Sequence, residues 1–325
     1  WALPPLKGGS FAARPSYPSR NTNFSHNRFT MSIDDVQIQF NPSAQIALQF
    51  VLAYVMFGIA IDTPVQDFRQ VLSRPRAVVV GTTAQFFLFP AFTFLMVAAM
   101  RLMGIEVAAS VLLGMYLLAA CPGGNISNFL THLAGGNTAL SVLLSAISTL
   151  AAVVMTPFNF GFYASLTPEC APLLKDVQLS FWELAQSVGV LLVLPMLLGV
   201  AMQQLLPNFT ALIKRIVRLS SMGFFIALIV LAFIANWQNF LQYIHFVALI
   251  VIVQNGAGLL LGYSWAKIWG LAERERRTTA IEVGIQNSGL ALVLGLNFFP
   301  SLGGLTLIAA WWSVWHAEGG EEIQP

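Results

Sequence analysis

Beyond residue 42 the chain is a succession of long apolar runs separated by short polar, glycine- or proline-containing breaks. The runs cover roughly 43–63, 77–100, 107–134, 138–165, 178–206, 219–236, 241–268, 277–298 and 302–316. About 20 apolar residues let a helix cross the hydrocarbon of a bilayer, so each run predicts a membrane-spanning helix, the last being short for the task. Turn-forming segments fall between the runs: Ser73-Arg74-Pro75-Arg76, Gly135-Gly136-Asn137, Leu166-Thr167-Pro168-Glu169, Pro207-Asn208 and Ala235-Asn236-Trp237. The predicted class is all-α, a polytopic membrane protein of about nine transmembrane helices.

Composition turns the pattern into an exclusion. Hydrophobic residues make up 57% of the chain and charged residues 9%, against roughly 25% charged in a soluble domain, so a water-soluble fold could not cover its own surface. Residues 107–168, 184–213 and 219–266 contain no Asp, Glu, Lys or Arg. A net charge of +2, with basic residues placed singly or in short clusters, offers no stripe for nucleic acid. Cys121 and Cys170 form neither a CxxC pair nor a disulfide framework.

The cations report topology instead, because Lys and Arg collect in cytoplasmic loops. Arg69, Arg74 and Arg76 follow the first run, Lys214, Arg215 and Arg218 the fifth, and Lys267, Arg274, Arg276 and Arg277 the seventh; the opposite loops hold only Arg101 and Lys175. This predicts an N-terminus outside and a C-terminus inside, in a cell membrane of the bacterial inner-membrane type. Residues 1–30 are rich in Pro, Ser, Asn and Arg and lack the apolar core of a signal peptide. With Met31 following, they read as a disordered leader or non-native extension, the alternative being a transit peptide. The transporter domain is then 31–316, and 317–325 reads as a short polar tail, truncated or non-native.

Two stretches violate the apolar rule deep inside their runs. In Cys121-Pro122-Gly123-Gly124-Asn125-Ile126-Ser127-Asn128 the proline removes a backbone donor and the glycines loosen the helix. Broken backbone at membrane depth is tolerated where it lines a cavity, and in transporters that is where substrate and coupling ion bind. The second stretch, Glu282-Val283-Gly284-Ile285-Gln286-Asn287-Ser288-Gly289, adds a carboxylate and two amides. The two lie in opposite halves of the chain, the pointer to an inverted-repeat transporter. Small and polar residues also glue transmembrane helices together by packing alone, and for the serines and glycines both readings stand. Glu282 shifts the balance, because an intramembrane carboxylate costs at least a few kcal/mol without a partner, and no Lys or Arg lies in the neighbouring spans. A hard cation ligated by oxygens, such as Na⁺, is the simplest partner. Ser141 and Ser145 share a helix face, and Gln85 is an isolated amide in the second run.

The segments CPGGNISNFLTHLAGGNTALSVLLSAISTL and RTTAIEVGIQNSGLAL resemble the two signatures of the bile acid:sodium symporter family, and WWSVWH is similar to a third. The resemblance runs from about 43 to 316. It implies two inverted repeats, a panel domain (about 43–63 and 178–236) and a core domain (about 77–165 and 241–316), with two broken helices crossing in the core. Carried over by position, one sodium site would use Ser127, Asn128, Ser141, Ser145 and Glu282. A second would use Gln85, Glu282 and Gln286 with the carbonyls of Val283 and Ile285. Substrate would lie at Asn125, Gly124, Asn287 and His316. The function implied is uptake of an organic anion, a bile acid or a small carboxylate such as a keto acid or pantoate, coupled to sodium by alternating access, with lipid as the only other partner and no cofactor beyond Na⁺. Three departures stand out. Against the family pattern the chain reads as lacking the first of ten helices, as some members do, Asn125 stands where a small or hydroxyl residue is expected, and AEGGEEIQP after His316 predicts a shortened last helix.

No GxSxG, HExxH or paired-carboxylate pattern supports an enzyme. His132 reads as a packing or interfacial residue, and Trp311, Trp312 and Trp315 as an interfacial belt. A non-transporting receptor or channel on the same scaffold, or an inactive fragment, is the alternative.

Overall fold

The computed structural model describes residues 42–62, 75–124, 126–177, 180–235 and 237–318. The predicted leader at 1–30 and the tail from 319 onward lie outside the described residues. The elements in chain order are α1 (Pro42–Asp62), α2 (Pro75–Leu102), α3 (Ala109–Ala120), α4 (Ser127–Leu133), α5 (Thr138–Leu166), α6 (Ala171–Val177), α7 (Phe181–Leu205), α8 (Pro207–Ala235), α9 (Trp237–Ile268), α10 (Glu273–Gly284), α11 (Ser288–Phe298) and α12 (Gly303–Glu318). Among the described residues there is no strand, only an isolated backbone bridge between Gly123 and Gln286. The chain is an all-α polytopic membrane protein. Four described helices, α2, α5, α7 and Val247–Ile268 of α9, are long and apolar enough to cross a membrane unbroken.

The runs at 107–134 and 277–298 each fold as two half-helices around a break, α3 with α4 and α10 with α11. Every residue of α3 from Ser110 to Ala120 is buried, as is every residue of α11 from Ser288 to Leu296. A helix apolar on all sides must be enclosed on all sides, and these two are: α3 packs on α5 and α12, and α11 on α12. The inner face of α12 is the ridge Leu305, Ile308 and Trp312, all fully buried. Trp312 therefore belongs to the core rather than to an interfacial belt, on a helix that packs against α3, α9 and α11; the Trp315 side chain lies outside the described residues. The first helix, α1, packs against the second half of α7 and against α8, with Tyr54 Oη and Ser220 Oγ 2.8 Å apart.

Two differences from the sequence reading concern boundaries. Lys214 and Arg215, expected in a loop, lie exposed on α8, which starts at Pro207; proline in the first helical turn gives up no hydrogen bond, so the helix begins where a turn was expected. Within α2, residues Ala84–Leu88 form a π-turn. Pro90, two residues on, has no N–H for the Phe86 carbonyl, and Asn159 of α5 donates its Nδ2 to that carbonyl instead, at 2.9 Å.

Polar contacts separate the two ends. At one, Arg101 pairs with Glu169 at 3.0 Å. At the other, Arg76 donates to the Trp269 carbonyl, Arg274 to Gly136 and Arg277 to Ala134. Two of the three loops predicted to share the basic side, those after the first and seventh runs, thus lie together.

Candidate functional site

The two breaks meet. Gly124 N donates to the Ile285 carbonyl at 2.6 Å, and Asn287 N donates to the Pro122 carbonyl at 2.9 Å. Backbone can pair with backbone here only because side chains are missing from the contact: a Cβ on Gly124 would lie 2.6 Å from the Gln286 carbonyl oxygen. The carbonyls released where the half-helices end find side-chain donors. Thr156 Oγ1 bonds the Ala120 carbonyl at 2.8 Å, Gln85 Nε2 the Cys121 carbonyl at 2.9 Å, and Asn255 Nδ2 the Gly284 carbonyl at 2.7 Å. Such groups must be paired when water is excluded.

Glu282, in the last turn of α10, is 4% exposed. Its Oε1 accepts from Ser127 Oγ at 2.6 Å and from Ser141 Oγ at 2.5 Å, and Ser145 Oγ reaches Oε1 at 3.1 Å and Oε2 at 3.0 Å. Gly123 lets the carboxylate lie against the break, since a Cβ there would be 2.5 Å from Oε2. Among the described residues no cationic side chain pairs with Glu282. Asn128, on the first turn of α4, has its Oδ1 buried with no hydrogen-bond partner. Of the four oxygen-bearing side chains named for one sodium site with Glu282, Ser127 of α4 and Ser141 and Ser145 of α5 reach its carboxylate, and Asn128 follows Ser127 on α4.

The residues named for a second site also converge. Gln85, held in the π-turn of α2, donates Nε2 to Gln286 Oε1 at 2.8 Å, and Gln286 Nε2 donates to the Val283 carbonyl at 2.5 Å. Gln85 Oε1 is buried with no partner, and the Ile285 carbonyl is the one that accepts from Gly124. Of the residues named for substrate, Gly124 and Asn287 sit at the crossing. Asn287 caps α11, its Oδ1 accepting from Leu290 N at 3.0 Å, and its Nδ2 is buried with no partner. Asn125 and the His316 side chain lie outside the described residues. Carboxylate, hydroxyl and amide oxygens form the donor set of a hard cation, and among the described residues no three His, Cys, Asp or Glu side chains converge.

The family model described as the Sodium Bile acid symporter family matches residues 49–243. The uncharacterized sodium-dependent transporter YocS of Bacillus subtilis is 32% identical over 84% of this chain and 80% of its own length. The chain belongs to the sodium bile acid symporter family. It thereby joins a family whose relatives carry the names of sodium-dependent transporters. The probable sodium/metabolite cotransporter BASS1 of Arabidopsis thaliana is 30% identical over 76% of this chain and 58% of its own length. Sodium/bile acid cotransporter 5 of Rattus norvegicus is 28% identical over 78% of this chain and 56% of its own. The chain thus spans less than two thirds of the plant and rat proteins.

Several residues that shape the symporter-family crossing were not singled out from the sequence. Thr156 and Asn159 interrupt one apolar run and Asn255, beside Gln254, interrupts another, and those interruptions were the available signal. A second signal was Gly258-x-x-x-Gly262. A Cβ on Gly258 would lie 3.0 Å from the Val283 carbonyl oxygen, and one on Gly262 would lie 2.6 Å from that of Thr279, so α9 lies directly against the backbone of α10 in the small-xxx-small manner of membrane helices.

Proposed function

We propose that the chain couples sodium entry to uptake of an organic anion by alternating access, with one sodium ion at Glu282, Ser127, Asn128, Ser141 and Ser145 and a second at Gln85, Gln286, Glu282 and the Val283 and Ile285 carbonyls. The observation that carries this reading is the buried Glu282 carboxylate, which has three hydroxyls and, among the described residues, no cationic side chain within reach. Sodium as cargo would supply the missing charge and hold α4, α5 and α10 around the crossing. The anion is placed beside the crossing because Asn287 Nδ2 is a buried donor without an acceptor, at the N-terminus of α11 where the helix dipole favours negative charge. The rat relative's name specifies a bile acid and the Arabidopsis relative's a metabolite, so the substrate class proposed is an organic carboxylate.

The test is a thermal-shift screen of bile acids, keto acids and pantoate with and without sodium, followed by uptake of any hit into proteoliposomes. Stabilisation and uptake that both need sodium and both vanish in Glu282→Ala are expected. Uptake indifferent to sodium, or retained by Glu282→Ala, would sink the mechanism.

A further inference from the structure

Polar residues recur at four-residue intervals on three helices around Glu282. On α10 they are Glu282, Thr278 and Arg274; on α5, Ser145, Ser141 and the N-cap Asn137; on α4, Ser127 and Thr131. Four residues bring a helix back to the same face about 6 Å further on. The series therefore stack into tiers that lead from the carboxylate to the basic end of the molecule.

The first tier is Glu282 with the hydroxyls of Ser127, Ser141 and Ser145. In the second, Thr278 Oγ1 accepts from Asn137 N at 2.8 Å and donates to the Arg274 carbonyl at 2.8 Å. Thr131 packs beside it: a Cβ on Gly136 would lie 2.7 Å from Thr131 Cγ2 and 2.9 Å from Thr278 Oγ1. The third tier closes the series, with Arg274 Nη2 on the Gly136 carbonyl at 3.3 Å and Arg277 Nη1 on the Ala134 carbonyl at 3.0 Å. Both arginines are exposed, and they sit where α4 ends, so its dipole favours their charge.

Thr131 is the anomaly in this series. It is fully buried, yet its Oγ1 has no hydrogen-bond partner, whereas Thr278 and Thr279 bond the carbonyls four residues back, the usual resort of a helical threonine. A buried hydroxyl left unpaired is costly. Asn128, three residues earlier on α4, leaves Oδ1 in the same state. Two buried oxygens without hydrogen bonds on the helix whose Ser127 meets Glu282 have the chemistry of hard-cation ligands.

We propose that this column is the path by which sodium passes between the Glu282 site and the basic end, with Thr131 as a ligand along the way and Arg274 and Arg277 as the clasp that closes it. The inference rests on the sodium assignment made above. Its test measures two quantities on the full chain: equilibrium sodium affinity in detergent, and the rate of radioactive sodium exchange in proteoliposomes. Thr131→Val, which keeps the shape and removes the hydroxyl, is expected to leave affinity within about twofold and to slow exchange about tenfold. Thr131→Ser is expected to restore the rate, and Arg277→Gln to raise it at unchanged affinity. Exchange at the original rate in Thr131→Val, or affinity and rate falling together, would mark Thr131 as a packing residue and overturn the path. An unaltered rate in Arg277→Gln would overturn the clasp. Sodium affinity that survives Glu282→Gln would instead overturn the Glu282 site itself, which the affinity arm reads independently of the rates.

Discussion

Glu282 lies among hydroxyls contributed by Ser127, Ser141 and Ser145 and against Gly123, so its carboxyl is solvated locally, and among the described residues no cationic side chain pairs with it. Glu282→Gln keeps the shape and removes the charge. Sodium affinity is expected to fall about a hundredfold or more, the scale of a lost buried charge partner, as read by isothermal titration. Ser141→Ala removes one ligand of several and is expected to cost about tenfold, one hydrogen-bond-sized interaction with a charged group. Gly123→Ala tests the geometry without touching a ligand. Its methyl would lie 2.5 Å from Oε2, pushing the carboxylate off the hydroxyls, so sodium affinity should drop as it does for a lost ligand. Gly161→Ala is the control, because nothing lies within 4 Å of a Cβ there and the substitution should leave binding untouched. Equal affinities in the two glycine variants would show that the close approach at Gly123 has no bearing on the ion.

At the scale of elements, the broken helices persist because side chains from continuous helices bond their released carbonyls. Asn255→Leu would strip the donor from the Gly284 carbonyl, and Asn159→Leu the donor from Phe86. Each is expected to cost about 1–3 kcal/mol, the penalty of an unsatisfied buried acceptor, visible as a lower unfolding temperature in detergent. An unfolding temperature unchanged by both would mean that the carbonyls have other partners. The breaks themselves were legible in the sequence, since Pro122, Gly123 and Gly124 in one apolar run and Glu282 through Gly289 in another are local violations of a strong periodic signal. So were the candidate ligands Ser127, Ser141, Ser145 and Gln85, although their gathering around the crossing rests on pairing between residues more than a hundred positions apart, such as Ser127 with Glu282. The π-turn at Ala84–Leu88, the start of α8 at Pro207 and the burial of Trp312 were not legible. The π-turn and the tryptophan involve neighbours distant in sequence, Asn159 beside the Phe86 carbonyl and α3, α9 and α11 around α12, whereas at Pro207 a proline that suits the first turn of a helix as well as a loop left the local signal ambiguous.

At the scale of the whole molecule, the site joins elements that alternating access would have to treat as one body. Backbone bonds across the crossing tie α3 and α4 to α10 and α11, and the arginine contacts at Gly136 and Ala134 tie α4 to α10 a second time. By contrast α1 packs on α7 and α8 and meets α11 through the pair Gln49 and Asn297, 2.8 Å apart. An ion that fixes the geometry of the crossing therefore acts on both half-helix pairs together, including Asn287 at the start of α11. That arrangement predicts a reciprocal linkage. Sodium should raise anion affinity by some factor, and the same anion should raise sodium affinity by that same factor, because coupling between two binding free energies is symmetric. A coupling of about 1–3 kcal/mol corresponds to roughly 5–150-fold, well within reach of titrations of each ligand at zero and saturating concentrations of the other. Asn287→Leu should weaken the anion while leaving sodium affinity in the absence of anion unchanged, since Asn287 is not among the proposed ion ligands. Unequal factors would show that one titration is not reporting equilibrium binding. A factor of one in both directions would mean that the ion and the anion bind without knowledge of each other, and sodium could not then drive uptake.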